Sequence, residues 1–441
     1  MSQPSVNVRP DPLLGRAPAA GPINPLRQHA RVLIAALVGT TVEFYDFYIF
    51  ATATALVFGP LFFPASSPAV QSISSFMAFG IAFIARPVGA IAFGHFGDRI
   101  GRKSTLVASL LLMGGSTLLI AFLPTYRQVG WIAPMLLCVL RFGQGFGLGG
   151  EWGGAALLAV EYAPPGWKAR FGSAPQFGAP IGFLCANGLF LLLGLNLSDA
   201  QFMAWGWRVP FLVSALLVFV GLWVRLRIAE TPAFREALAH TPAENVPLVP
   251  LVRDHWRALL LGKAGVIACF AIFYLSTAFA LSQGAGPLGF GRERFLAVQL
   301  AANLFLALGI LVAAVWSDKA TPARVLAWGM VATVIVGALF GSGLESGSLL
   351  LAFITLAAGL FTMGLAYGPL GAWLPTLFPV RVRYSGISIA FSAGGIIGGA
   401  VTPIAARMIA DSGHGGWVGL LMSAAGLVSL AGILLARPVS D

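Results

Sequence analysis

Gly94-His-Phe-Gly-Asp98-Arg99-Ile-Gly101-Arg102-Lys103 is a charged decapeptide set between two apolar stretches, about 25 residues before it and about 20 after it. Roughly 20 helical residues at 1.5 Å rise cross a bilayer. The spacing therefore predicts a short charged turn between two membrane-spanning helices. An echo follows about 220 residues later, Trp316-Ser-Asp318-Lys319-Ala-Thr-Pro-Ala-Arg324, again between apolar stretches. One acid and a cluster of cations, used twice, point to a duplicated helical bundle that moves.

Composition agrees with that reading. Of 441 residues, 58% are hydrophobic and 10% charged, whereas a soluble domain carries about 25% charged residues. A mean hydropathy of +0.85 makes lipid the solvent for most of the chain. The net charge of +11 is spread over short loops, with no basic stripe interleaved with exposed aromatics, which excludes nucleic acid as the partner. Cys138, Cys185 and Cys269 lie inside apolar segments without a CxxC pair or a His at ligand spacing. They read as small packing residues, and no metal site or cofactor is expected.

Apolar stretches long enough to span occur at about 32–58, 70–96, 104–123, 132–160, 171–195, 207–228, 259–283, 294–316, 325–343, 348–373, 385–408 and 417–436. The expected fold is an all-α membrane protein of about twelve spans. Residues 1–30 form a disordered cytoplasmic tail without a signal-like apolar core. Two six-helix bundles follow at 31–228 and 259–436, joined by a cytoplasmic linker at 229–258, and a short tail covers 437–441. Within the linker, Thr231–Ala239 is compatible with a short surface helix. With the amino terminus inside, 20 of the 27 Lys and Arg fall on inner segments and four on outer ones. That bias places both termini on the cytoplasmic side of an inner membrane. The halves repeat in the same direction. Asp98-Arg99 corresponds to Asp318-Lys319, Glu161-Tyr-Ala-Pro164 to Thr376-Leu-Phe-Pro379, and Lys168-Ala-Arg170-Phe-Gly172 to Arg383-Tyr-Ser-Gly386. Parallel six-span repeats put a binding site between the halves near the midplane.

These motifs resemble the major facilitator superfamily. The 94–103 cassette is similar to its signature between spans two and three, and Arg141-Phe-Gly-Gln144-Gly145-Phe-Gly-Leu-Gly149 to its span-four pattern RxxQGxxxG. Glu43-Phe-Tyr-Asp46-Phe47, Gly149-Gly-Glu151-Trp152-Gly-Gly-Ala155, Glu161-Tyr-Ala-Pro164 and Arg383-Tyr-Ser-Gly386 resemble the metabolite:proton symporters, whose members carry 2-oxoglutarate, citrate, shikimate, proline or betaine. The resemblance covers about residues 30–436. Departures are Thr376, where the family usually has an acid, and a second cassette without glycines and with Pro322.

An ionisable group inside a span is costly and reads as functional. Glu43 and Asp46, at i and i+3 on span one, lie roughly 17 and 21 Å from its inner end. A carboxylate held between desolvation and a nearby cation can load and release a proton, so both are candidates for proton coupling, with a fixed pair to Arg86 or Arg141 as the alternative. Arg141, at mid-depth on span four, offers a bidentate carboxylate site, and Gln144 shares its face. Tyr45, Trp152 and Tyr274 are further candidates for the substrate cavity, and Arg86 with Glu151 for a charge network. Asp98, Arg99, Arg102, Lys103, Glu161, Arg170, Asp318 and Arg383 sit at the inner mouth and are expected to gate. Resemblance makes span eleven the partner of Asp98, and the degraded second cassette suggests a latch held mostly by the first half.

Gly145-Phe-Gly147-Leu-Gly149-Gly150 matches GxGxxG, but no strand precedes it, and close helix packing explains its glycines better. Gly178-Ala-Pro180-Ile-Gly182 partly resembles an element of proton-coupled drug antiporters, and a helix bend at Pro180 is the simpler account. The expected function is proton-driven symport of a small polar metabolite, most simply an organic acid. The proton is the coupling ion, and a monomer in the bilayer is the working unit. A proton-coupled drug or metabolite exporter is the alternative. The sequence carries no catalytic motif, so an enzyme is not expected.

Overall fold

A computed structural model describes residues 29–64, 67–100, 102–150, 157, 159–227, 248–379 and 382–439; the side chains at 31–32, 94–100, 102–106, 150, 224–227 and 248–250 are not among those described. Among the described residues ten helices are long and apolar enough to cross a membrane, and two shorter apolar helices accompany them. In chain order they are α1 Leu33–Phe62, α2 Pro68–Phe93, α3 Val107–Ile120, α4 Ile132–Gly147, α5 Lys168–Asn196, α6 Gly206–Trp223, α7 Trp256–Ala285, α8 Arg292–Lys319, α9 Pro322–Leu344, α10 Leu349–Leu377, α11 Arg383–Asp411 and α12 Gly415–Leu435. The helical backbone of α2 runs on to Ile100, into the first cassette, where a turn was expected. The proposed surface helix at Thr231–Ala239 lies outside the described residues.

The outer face of the bundle is apolar. Phe122, Leu192, Leu216, Phe219 and Leu339 are among many large side chains left exposed, an arrangement that only lipid tolerates. Trp131, Trp205 and Trp417 stand exposed at one rim, and Trp223 and Trp256 at the opposite rim, as interfacial belts do. The rim of Trp223 and Trp256 is called inner below, following the Lys and Arg distribution.

Small residues set the helix spacing, and they do so twice. A Cβ on Gly145 of α4 would lie 2.2 Å from the Ala82 carbonyl oxygen of α2, and one on Gly89 1.9 Å from that of Phe146. In the second half, Gly309 of α8 and Gly364 of α10 approach in the same way, at 2.4 Å from the Phe361 oxygen and 2.5 Å from the Leu306 oxygen. The Gly-rich run after Arg141 is thus a backbone contact surface and holds no dinucleotide. The expected bend at Pro180 falls earlier in the chain. Pro175–Phe177 forms a 3-10 turn and a regular helix starts at Gly178, so Pro180 occupies a first turn where its missing N–H costs little.

Candidate functional site

Helix α1 divides its faces between the two halves. Phe44, Phe47 and Tyr48 meet Tyr367, Tyr274 and Phe273 of the second half. Tyr45 and Asp46 turn into the first half. The Tyr45 hydroxyl donates to the Pro210 carbonyl at 3.0 Å. Asp46 is 1% exposed; it accepts from the Ser214 hydroxyl at 2.5 Å and from the Thr117 hydroxyl at 3.2 Å. Glu43 is buried too, but it lines a cavity between the halves. An i, i+3 pair diverges by about 60°, enough to send one acid to each side of the stripe.

The Thr117 hydroxyl has a second acceptor, the Met113 carbonyl at 2.9 Å, and itself accepts from Gln144 Nε2 at 2.7 Å. A hydroxyl has one proton and two lone pairs. With Asp46 ionised, Thr117 donates to it. With Asp46 protonated, the acid donates to Thr117, which donates to Met113. The site therefore satisfies both protonation states without moving a heavy atom. Gln144 Oε1 in turn accepts from Arg141 Nη1 at 3.0 Å. Among the described residues Asp46 and Arg141 form no ion pair; Thr117 and Gln144 stand between them.

Arg141 is 0% exposed. Its guanidinium lies 4.2, 4.0 and 4.9 Å from the ring centres of Phe47, Phe50 and Phe79, a cage in which cation–π attraction offsets part of the lost hydration. The cavity lies on the other side of Phe47. It is a narrow space lined by Glu43, Phe47, Arg86, Tyr274, Ser388 and Ser392 among others. Arg86 sits 4.7 Å from the Phe47 ring, and its buried Nε donates to no group among the described residues. Arg86, expected in a charge network, faces this cavity, whereas Arg141 and Gln144, expected at the substrate, lie behind the Phe47 wall. Tyr45, expected at the cavity, holds α1 to α6 instead. Glu151 and Trp152 lie outside the described residues.

The chain was compared with known proteins. Residues 32–241 match the family model "Sugar (and other) transporter". The inner membrane metabolite transport protein YhjE of Escherichia coli is 45% identical over 93% of this chain and 94% of its own. The shikimate transporter of Escherichia coli is 34% identical over 96% and 98%. The chain belongs to the major facilitator superfamily, among its metabolite transporters. The fold agrees: a D-xylose-proton symporter superposes with a TM-score of 0.71 at 16% identity, over 93% of this chain and 98% of that one. The chain is thus a multi-pass membrane transporter and not an enzyme.

In this transporter the inner ends of the halves meet at the second cassette. Asp318, at the end of α8, accepts from the backbone N–H of Ala169 at 2.8 Å and of Arg170 at 3.3 Å, and from Arg170 Nε at 2.5 Å. The acid caps the amino terminus of α5 across the interface, where helix dipole and ion pair act together. Among the described residues this contact is made by the second cassette, and the latch expected mostly of the first half rests on side chains outside them. Asp98, Arg99, Arg102 and Lys103 carry side chains outside the described set. Glu161 is exposed, and Arg383 Nε donates to the Phe378 carbonyl at 3.1 Å at the start of α11.

Two groups escaped the sequence reading. Thr117 and Ser214 are hydroxyls in spans, and such groups usually bond their own i−4 carbonyl; Thr117 does that as well, so nothing in its context marks it. Arg407 is buried near the outer end of α11, donating to Gln283 Oε1 at 2.9 Å and pairing with Asp411, while Gln283 donates to Glu345. Its i+4 acid was a legible signal.

Proposed function

We propose that this transporter is a proton-coupled symporter that brings a small organic acid across the inner membrane, with both termini cytoplasmic and one chain sufficient. The observation that carries the proton step is the hydroxyl pair around Asp46, which accommodates the acid and its conjugate base alike. Arg86 supports the substrate class: a cation at a cavity between the halves, whose Nε donates to no group among the described residues, suits a carboxylate. A relative named for an acid, the shikimate transporter, points the same way.

In this reading Asp46 takes a proton from the outer side, and the change in charge reaches Arg141 through Thr117 and Gln144. The substrate carboxylate binds Arg86. Glu43 lines the same cavity and offers Arg86 a carboxylate once the substrate has left. The Asp318–Arg170 contact holds the inner mouth shut and parts when the halves rock.

Reconstituted protein tests this. An inward proton gradient should drive uptake of a carboxylate, and Asp46→Asn should abolish accumulation while leaving substrate exchange across the membrane. Gradient-driven accumulation by Asp46→Asn would overturn the proton role, and net extrusion by the wild type would favour the exporter.

A further inference from the structure

A second cavity lies toward the outer side of the Arg86 cavity. It is lined by Tyr48 and Thr52 of α1, Phe183 and Asn187 of α5, Thr277 of α7 and Gln299 of α8, among others. The stacked rings of Tyr48 and Phe273, 4.9 Å apart, with Phe183 against both, form the partition between the two spaces. None of the residues lining this outer cavity is charged.

Its polar atoms have an unequal balance. Helix α7 carries a π-helical segment at Leu275–Phe279. Gln299 Nε2 donates to two carbonyls there, Ser276 at 3.0 Å and Thr277 at 2.8 Å. Two carbonyl partners demand the NH₂ end of the amide, which fixes Oε1 as the remaining atom. Gln299 is 1% exposed, and among the described residues its Oε1 accepts nothing. A buried acceptor left without a donor costs about 1–3 kcal/mol. Asn187 Nδ2 points to the Phe183 carbonyl, so its Oδ1 receives the Thr52 hydroxyl at 2.6 Å. The Thr277 hydroxyl is spent on the Phe273 carbonyl. Thr52 and Thr277 therefore present lone pairs, as Gln299 does. The chamber is rich in acceptors and holds no carboxylate to neutralise an ammonium.

We propose that this outer cavity is a selectivity subsite for hydroxyl groups, so that the acid carried is a hydroxylated one. Its hydroxyls donate to Gln299 Oε1 and the Thr52 oxygen, and the molecule passes the Tyr48–Phe273 partition to reach Arg86. The inference rests on the organic-acid reading and narrows it.

The test uses the purified full-length protein and matched pairs of carboxylates with and without hydroxyls: lactate and propionate, malate and succinate, a polyhydroxylated cyclohexanecarboxylate and its parent acid. Binding is followed by thermal shift and competition. The wild type should prefer the hydroxylated member of at least one pair by about tenfold, the worth of one good hydrogen bond. Thr52→Val and Gln299→Met should bring that preference close to unity while leaving affinity for the deoxy member unchanged. Tyr45→Phe, whose hydroxyl bonds the Pro210 carbonyl away from both cavities, controls for folding and should leave the preference in place. Absence of a hydroxyl preference, a preference that survives both substitutions, or stronger binding of amino acids than of hydroxy acids would overturn the subsite alone. Failure of every carboxylate to bind, with Arg86→Gln indistinguishable from wild type, would overturn the organic-acid reading beneath it.

Discussion

The two halves share an architecture but not a chemistry. Gly89 and Gly145 bring α2 against α4 as Gly309 and Gly364 bring α8 against α10, and the same glycine approach joins α1 to α5 and α7 to α11, through Gly178 and Gly398. The polar interiors do not correspond. Glu43, Asp46 and Arg141 are buried at mid-depth in the first half, whereas in the second half the buried charges among the described residues lie toward the rims, Arg407 near the outer one and the Asp318 carboxylate at the inner one. Backbone approach constrains both copies alike, because a side chain at either glycine contact collides with a carbonyl. Nothing in helix packing requires an acid at position 46, so that residue was free to differ.

Six substitutions, arranged as four tests, probe this contrast in falling order of effect. Arg86→Gln should raise the KM for a carboxylate about 10- to 100-fold, since charge-assisted hydrogen bonds contribute about 1.5–3 kcal/mol; Arg407→Gln should leave KM within about twofold. Equal effects in transport assays would erase the division of labour. Gly145→Ala and Gly364→Ala should each destabilise by about 1–3 kcal/mol, the usual cost of overpacking, and thermal unfolding in detergent should show comparable losses. A harmless substitution in one copy would break the symmetry of packing. Asp318→Asn keeps the cap but loses the charge, so unfolding should shift by about 1 kcal/mol and cysteines placed at the inner mouth should react faster. Unchanged labelling would remove Asp318 from the gate. Tyr45→Phe loses one hydrogen bond, about 1 kcal/mol, with KM unaltered; a changed KM would return Tyr45 to the substrate path.

Hydropathy and charge revealed the helices, and the repeated acid revealed the duplication, because both follow from burial in lipid. The face of each side chain was less accessible. Glu43 and Asp46 are helical neighbours, yet one meets the cavity and the other meets α3 and α6. Spacing states which residues share a helix, not which helix lies opposite. Arg86 rather than Arg141 lines the cavity for the same reason: Phe47 stands between them, and no pattern along the sequence places an aromatic ring from another helix. Pro180 misled because its effect depends on where the helix begins, which the 3-10 turn at Pro175–Phe177 decides.

The contact of Asp318 with α5 does not stand alone among the described residues. Along the same pair of helices Asn303 Nδ2 donates to the Pro180 carbonyl at 2.9 Å, and at the outer rim Arg292 of α8 pairs with Asp199, just past the end of α5, at 3.0 Å. The opposite seam, α2 against α11, is closed by Ala400 on Gly80 and Phe83 on Gly399. Directional polar bonds resist shear, whereas methyl groups and rings slide over one another at little cost. Of these two seams α5 with α8 therefore costs more to open, and its innermost bond, Asp318 to the start of α5, is the one that must break before the inner mouth can part.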